Sequence, residues 1–269
     1  MNMSFADRYG PWAIIAGASE GTGRAFAQRI AASGVACVLI ARREGPLKEL
    51  AKEIRDQSAV ECLTAAIDLA KPDACDRISD AVGAREVGLF VSNAGADPNG
   101  ARFLERDIGV WRELVRRNVL TMMECCHLFA VPMRKRGKGG LLLVNSGACY
   151  AGASFLATYS ASKAFDLCFA EGLWAELRSY GVDVLSLVLG MTDTPAFRAL
   201  LAAKGLPVPP GIATAEAVAQ VGLAQLPHGP VYNWGQTNDV AGFAPSSPDQ
   251  RRARILAIDA SSKHVFGEG

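Results

Sequence analysis

A serine, a tyrosine and a lysine stand in an order suited to moving a proton beside a carbonyl group. Tyr159 and Lys163 are four residues apart in Tyr159-Ser160-Ala161-Ser162-Lys163, and Ser146 lies 13 residues before the tyrosine (159 − 146). On a helix, a spacing of four puts both side chains on one face. Reduction of a ketone needs a proton donor beside the oxygen as hydride reaches the carbon. A phenol can do this if its pKa falls from about 10 toward neutrality, and a nearby lysine ammonium favours the phenolate and so lowers that pKa. The Ser146 hydroxyl can hydrogen-bond the carbonyl or the developing alkoxide. Tyr-x-x-x-Lys by itself is a common and usually inert pair on helix surfaces. The serine ending an apolar run upstream is what gives the set weight.

A second constellation near the N-terminus suits a diphosphate. The first apolar run leads into Gly17-Ala18-Ser19-Glu20-Gly21-Thr22-Gly23. Three glycines at this spacing let backbone approach a diphosphate and let a helix start close to the strand. The helix N-terminus after Gly21 offers free N–H groups and a positive dipole end. Taken alone this is a glycine-rich turn; its place after the first strand of an alternating chain points to a dinucleotide. An NAD-type site places an acid at the end of the second strand to bind the ribose 2′-hydroxyl. Here that strand ends Ala41-Arg42-Arg43. With no acid and an arriving guanidinium able to grip a 2′-phosphate, the expected cofactor is NADP(H), with Arg42 and Arg43 beside it. The competing reading is that both arginines merely begin a solvated helix.

These residues need a frame, and the chain supplies one. Trp12–Gly17, Val35–Ala41, Val60–Ile67, Gly88–Ser92, Leu141–Asn145 and Val182–Leu189 are β-type apolar runs separated by helical stretches such as Arg24–Ser33 and Glu44–Gln57. The runs lack clean alternation, as expected of strands covered on both faces. Repeated strand–helix–strand units predict an α/β fold, a single-domain, doubly wound, Rossmann-type parallel sheet flanked by helices. Ser146 then sits at a strand's carboxyl end, where α/β sites lie. Residues 1–269 read as one NADP(H)-binding domain. A lid is expected at 194–214, where four prolines and two glycines break the rhythm, and a C-terminal tail from 246 with a short helix over Arg251–Ala260.

Composition excludes several other classes. Half of the residues are hydrophobic, a fifth are charged and the net charge is +1, so nothing asks for nucleic acid or a membrane surface. The seven cysteines are odd in number, with no Cys-x-x-Cys pair and no zinc-ligand spacing. They read as small core residues of a reducing compartment, with no metal site. Asp7 and Arg8 interrupt the N-terminus and no run spans a bilayer, so a cytoplasmic location is expected.

Taken together, Gly17-x-x-x-Gly21-x-Gly23, Asp68-Leu69, Asn93-Ala94-Gly95, Asn118, Ser146 and Tyr159-x-x-x-Lys163 make the chain resemble the short-chain dehydrogenase/reductase family up to about Trp234. The resemblance implies that Asp68, with Leu69, contacts the adenine, and that Asn93 supports the central sheet beside Ala94 and Gly95. It also implies that Asn118 holds a water leading to Lys163 in a proton relay, that Lys163 binds the nicotinamide ribose, and that Thr194, near Gly190 and Thr192, meets the nicotinamide carboxamide. The chain departs from the family in carrying Leu189 before Gly190 where members commonly have proline, which leaves the loop's path open, and Ser92 in place of an asparagine. A narrower likeness is to bacterial 7β-hydroxysteroid dehydrogenases, through Tyr9-Gly10-Pro11-Trp12 and Leu189–Pro195.

Substrate identity is the least determined part. Phe197, Leu200, Leu201, Leu206 and Val208 in the lid, with Cys149, Tyr150 and Phe155 between serine and tyrosine, favour a bulky apolar ketone or alcohol, steroid-like or aryl; lids are also apolar simply in order to pack. The alternatives are a 3-oxoacyl-carrier reductase, whose basic docking patch is not evident in the sequence, and a non-catalytic NADPH-binding sensor, which would be expected to lack Tyr159, Lys163 or Ser146. Apolar residues on several faces of 155–180 (Phe165, Leu167, Cys168, Phe169, Trp174) suggest a helix buried on more than one side, and the family resemblance implies a homodimer or homotetramer.

Overall fold

The apolar runs become the strands of one sheet. In a computed structural model, which describes residues 3–97, 100–150, 152, 154–203, 205–234, 249–250, 252–253 and 256, the order of elements is α1 (Phe5–Tyr9), β1 (Trp12–Ala16), α2 (Gly21–Ala32), β2 (Ala36–Ala41), α3 (Glu44–Ser58), β3 (Cys62–Ala66), α4 (Ala74–Val82), β4 (Val87–Ser92), α5 (Ile108–Val115), a π-helical turn (Arg116–Leu120), α6 (Thr121–Arg136), β5 (Gly139–Ser146), α7 (Ala157–Leu177), β6 (Val182–Leu189), β7 (Thr192–Asp193), α8 (Pro195–Ala203), β8 (Ala213–Thr214), α9 (Ala215–Gln225) and β9 (Val231–Asn233). Among the described residues, seven strands form a parallel sheet in the order β3-β2-β1-β4-β5-β6-β9. This is a single-domain, Rossmann-like, doubly wound α/β fold. The order reverses between β1 and β4, so a crevice opens at the carboxyl ends of those two strands, the place where such sheets bind ligands.

The sheet is covered on both sides, which explains why its strands do not alternate in sequence. Ile15, Leu39, Val91 and Leu187 face one core with Phe26, Ile30, Leu47 and Val218 of α2, α3 and α9. Ile14, Ile40, Phe90 and Val184 face the other with Ile78, Cys126, Phe129 and Trp174 of α4, α6 and α7. Alternation persists in three dimensions, successive residues of these runs going to opposite cores although both are apolar.

Four short elements escaped the sequence reading. α1 is five residues long and buries Tyr9, whose hydroxyl donates to Asp183 Oδ2 at 2.7 Å while Arg8 pairs with the same carboxylate at 2.6 Å. β9 adds a seventh strand at the edge of β6. β7 and β8 pair in parallel, Thr192 opposite Ala213 and Asp193 opposite Thr214, and so join the two ends of the expected lid. α2 also starts earlier than the expected Arg24, at Gly21, because the glycines are part of the helix's first turn. The tail helix expected over Arg251–Ala260 falls mostly outside the described residues. Of the seven cysteines, Cys168 is exposed and Cys75 half-buried, so these two depart from the expected core role.

Candidate active site

The carboxyl edge of the sheet gathers the two constellations. Ala16 lies opposite Ser92, and Ser146 opposite Leu189, so the residues after β1 and β4 and the last residue of β5 share one rim.

At the β1 end, the glycines are required by contact. A Cβ on Gly17, whose φ is +85°, would lie 2.8 Å from the Ala94 nitrogen; a Cβ on Gly23 would lie 2.0 Å from the Gly17 carbonyl oxygen and 2.6 Å from Asn93 Nδ2. Asn93 ties this turn down. Its Nδ2 donates to the Gly17 oxygen at 3.0 Å, and its Oδ1 accepts from Thr22 Oγ1 at 2.6 Å. Its work is therefore local to the glycine turn. Gly21 has a φ of +55°, and a Cβ there would meet the Thr194 methyl at 3.0 Å, so the start of the 194–214 segment lies against the turn. Ser19 sits within this half-buried turn.

The two arginines after β2 have different fates. Arg43 pairs with Glu20 at 2.6 Å across the cleft's outer edge. Arg42 is exposed and, among the described residues, has no ion-pair partner. Facing it is a residue the sequence reading did not single out, Arg117, on the π-helical turn. Arg117 donates through Nη2 to the Ala96 oxygen at 2.8 Å and through Nε to Asn118 Oδ1 at 3.2 Å, and it lines a small recess with Leu69, Ala94 and Ser92. Burial lowers its pKa and the charge of Arg42 pushes the same way, against Asp68, Asp97 and Glu113. Asp68 Oδ1 accepts from its own downstream Ala70 nitrogen at 3.0 Å, forming a local turn, and the Leu69 oxygen accepts from Thr121 at 2.9 Å.

Buried hydrogen bonds hold the backbone at Ser146 and the side chain of Lys163, two of the residues expected to handle the proton. Ser146 ends β5; its backbone nitrogen donates to Asn145 Oδ1 at 2.7 Å. Asn145 in turn donates to the Lys163 carbonyl at 3.2 Å and to Ser186 at 3.0 Å, locking α7 to β5 and β6. Tyr159 and Lys163 lie one turn apart on α7, the tyrosine half-exposed and the lysine buried. The Lys163 ammonium donates to the Val144 oxygen and to Asp166 Oδ2, both at 3.0 Å. Burial works against that ammonium, but Asp166, with Tyr159, outweighs it and raises the lysine pKa above its ordinary value. Gly95 makes the room: a Cβ there would stand 2.8 Å from Lys163 Nζ. Asn118, buried, donates to the Gly95 oxygen and to Ser162 Oγ, both at 3.1 Å. It occupies a π-helical turn rather than ordinary helix, a distortion frequent at functional sites.

Beyond the carboxyl ends of β5 and β6, buried and exposed side chains alternate. Cys149 is buried with Leu167, Val188 and Val231, and Tyr150 packs beside them and bonds Asn233. Leu189 is buried and simply completes β6, which is how the chain accommodates the missing proline. Gly190 and Met191 then turn outward, with Met191 exposed. Thr192 enters β7, while Thr194 Oγ1 accepts from the Phe197 nitrogen at 3.2 Å at the head of α8. In α8, Leu201 is tucked in, Phe197 is half-buried and Leu200 is exposed, as are Leu206 and Val208 beyond it.

Known proteins share this arrangement. Residues 11–205 match the short chain dehydrogenase family. The 7β-hydroxysteroid dehydrogenase of Collinsella aerofaciens is 30% identical over 221 residues, which span 82% of this chain and 81% of that one. The human very-long-chain 3-oxoacyl-CoA reductase is 31% identical over 183 residues, 66% of this chain and 58% of the relative. A solved 7β-hydroxysteroid dehydrogenase structure superposes with a TM-score of 0.81 at 28% identity, covering 95% of this chain and all (100%) of the other.

Proposed function

This chain belongs to the short-chain dehydrogenase family of oxidoreductases, and from that premise we propose that it interconverts a bulky apolar ketone and its secondary alcohol with NADP(H). The observation that carries the reading is the Lys163 ammonium, seated against Gly95 and Val144 at the carboxyl edge, one helical turn from Tyr159 and on the same rim as Ser146. An intact acid–base set of this kind argues against a purely binding role.

The residues present fit a phosphorylated dinucleotide. Gly17 and Gly23 leave a cradle that a Cβ would fill. Ala41 offers no acid, Arg43 is engaged by Glu20, and Arg42 is exposed with no ion-pair partner among the described residues, opposite an Arg117 that feels Asp68, Asp97 and Glu113. A guanidinium left open in this way suits a 2′-phosphate. Gly17 to Gly23 would hold the diphosphate, Asp68 and Leu69 the adenosine, Gly190, Thr192 and Thr194 the nicotinamide end. When bound, the cofactor supplies or accepts the hydride.

The chain's own residues do the rest. Ser146 Oγ hydrogen-bonds the substrate oxygen and fixes it beside the phenol. Tyr159 donates its proton to that oxygen during reduction and takes it back during oxidation. Lys163 stabilises the phenolate by charge, and Asn118 connects it through water toward bulk. Phe197, Leu201 and Cys149 contribute apolar surface, and the 194–214 segment closes over the substrate and excludes water. The exposed ring of Phe165, stacked 5.5 Å from the half-buried Phe169 on α7, supports a homodimer or homotetramer formed through that helix. No helix among the described residues is long and apolar enough to cross a membrane, and the free thiols suit a reducing cytoplasm.

A second reading, reduction of a 3-oxoacyl thioester, is favoured by the human relative and by Arg102, whose guanidinium lies 5.0 Å from the centre of the Phe155 ring. One experiment separates the readings: steroid, aryl, small aliphatic and 3-oxoacyl-CoA ketones are offered with NADPH or NADH, and cofactor absorbance is followed. Oxidation of NADPH by a bulky ring ketone is expected. Preference for NADH, or for small polar ketones, would overturn the proposal.

A further inference from the structure

A buried carboxylate touches the lysine of the acid–base set, and the mechanism above makes no use of it. Asp166 lies on α7 three residues after Lys163, and Asp166 Oδ2 accepts from Lys163 Nζ at 3.0 Å, both side chains being only 5% exposed. Its other oxygen, Oδ1, is buried with no hydrogen-bond partner, and the nearby helix residue Ser160 also has a buried, unpartnered hydroxyl. A carboxylate with one oxygen unsatisfied is an expensive thing to bury. A neutral, well-packed residue would fill the same space without that cost, so the charge itself calls for a function.

We propose that Asp166 is a positioning residue of the hydride-transfer site: its carboxylate holds the Lys163 ammonium inward and neutralises part of its charge, so that Tyr159 feels a weaker cation. The inference rests on the proposed reading of Tyr159 and Lys163 as the acid–base pair. Charge arithmetic gives the sign. A lone ammonium one turn from the phenol favours the phenolate; an ion pair pointing its positive end into a carboxylate favours it less, because the two charges largely cancel at the phenol. The titratable groups around the pair are few. Tyr159 shares its helix, Cys149 faces Lys163 from the segment after β5, and Cys126 faces Asp166 from α6, its thiol pushed well above the ordinary range first by burial and then by Asp166. Burial raises the Asp166 carboxyl against the pull of Lys163. No second carboxylate pairs with Lys163 among the described residues, so the whole neutralising effect falls on Asp166.

With the Lys163 ammonium kept charged by the facing Tyr159, removing the carboxylate should therefore make Tyr159 more acidic. The test titrates phenolate ultraviolet absorbance in the binary complex with NADP⁺, with the Tyr159→Phe protein subtracted so that only Tyr159 is read among the five tyrosines of the chain. This readout needs no substrate. In Asp166→Asn the Tyr159 midpoint is expected to move down by about one pH unit, and Asp166→Glu should return it toward the wild-type position. Asp166→Leu, which fills the space with apolar atoms, carries the same expectation if the asparagine variant does not fold. A midpoint that stays in place or rises, in a variant whose melting temperature shows it folded, overturns the proposal and leaves Asp166 a packing residue. If Tyr159→Phe turns over ketones like the wild type, the acid–base reading fails instead, and the two failures are told apart.

Discussion

The wall around Lys163 and the 194–214 segment are built on opposite principles. The wall comprises Gly95, Asn118, Asn145, Ser162 and Lys163. It is buried and cross-linked by hydrogen bonds between elements far apart in sequence, and a carbon added at Gly95 would stand 2.8 Å from Lys163 Nζ and push the ammonium aside. The 194–214 segment leaves Leu200, Leu206 and Val208 exposed and is held at its base by a two-residue strand pair, β7–β8. The difference teaches which part is meant to stay in place. On the proposed reading, the atoms that move protons are over-determined by packing and polar satisfaction, whereas those proposed to meet the substrate leave apolar side chains exposed, as a segment that closes and reopens requires.

If that contrast is correct, its strongest break is chemical. Tyr159→Phe should lower turnover on the order of 10²–10⁴-fold while the melting temperature and NADPH binding stay near wild type; retained turnover would remove the acid–base role. Next is a purely spatial break. In Gly95→Ala the new methyl displaces the ammonium, and turnover should fall roughly 100-fold with a stability loss of about 1–3 kcal/mol, read by steady-state kinetics and thermal melting. An unchanged rate would mean the wall is softer than its contacts imply. Arg42→Ala acts at the far end of the cleft. It should weaken NADPH binding by about 1.5–3 kcal/mol and leave NADH nearly untouched, as measured by cofactor fluorescence; equal losses would contradict the 2′-phosphate assignment. The smallest effects belong to the segment. Phe197→Ala should change the kcat/KM ratio of bulky to small ketones by about 1 kcal/mol, and amide hydrogen exchange across 194–214 should slow when NADPH and ketone bind. Full protection in the free protein would end the idea of a closing lid.

The buried strands were legible because a parallel sheet covered on both faces writes itself as short, continuous apolar runs; β1, β2, β4, β5 and β6 fall within two residues of their expected bounds. The glycine turn and the Ser146, Tyr159 and Lys163 set were legible because their chemistry depends on residue type at fixed spacing. What was missed shares a different cause. α1 and β9 are too short to show a period. The π-helical turn at Asn118 is a backbone event that no residue announces. Glu20 and Arg43 are separated by 23 positions, so their pairing is a product of the fold. Arg117 and Asp166 each sit inside a helical stretch where a single charge reads as surface, and only tertiary packing turns one toward the cleft and the other toward Lys163.

The β7–β8 pair has an evolutionary consequence. By holding Thr192–Asp193 beside Ala213–Thr214 it makes the intervening residues a closed excursion whose two ends stay put whatever lies between them. The entropy of closing such an excursion grows only with the logarithm of its length, about 0.6 kcal/mol per doubling. Residues can therefore be added, removed or exchanged between those anchors at little thermodynamic expense. The excursion is built as an interchangeable cassette; if it lines the substrate as proposed, a new preference can be installed there without redesigning the sheet that frames it.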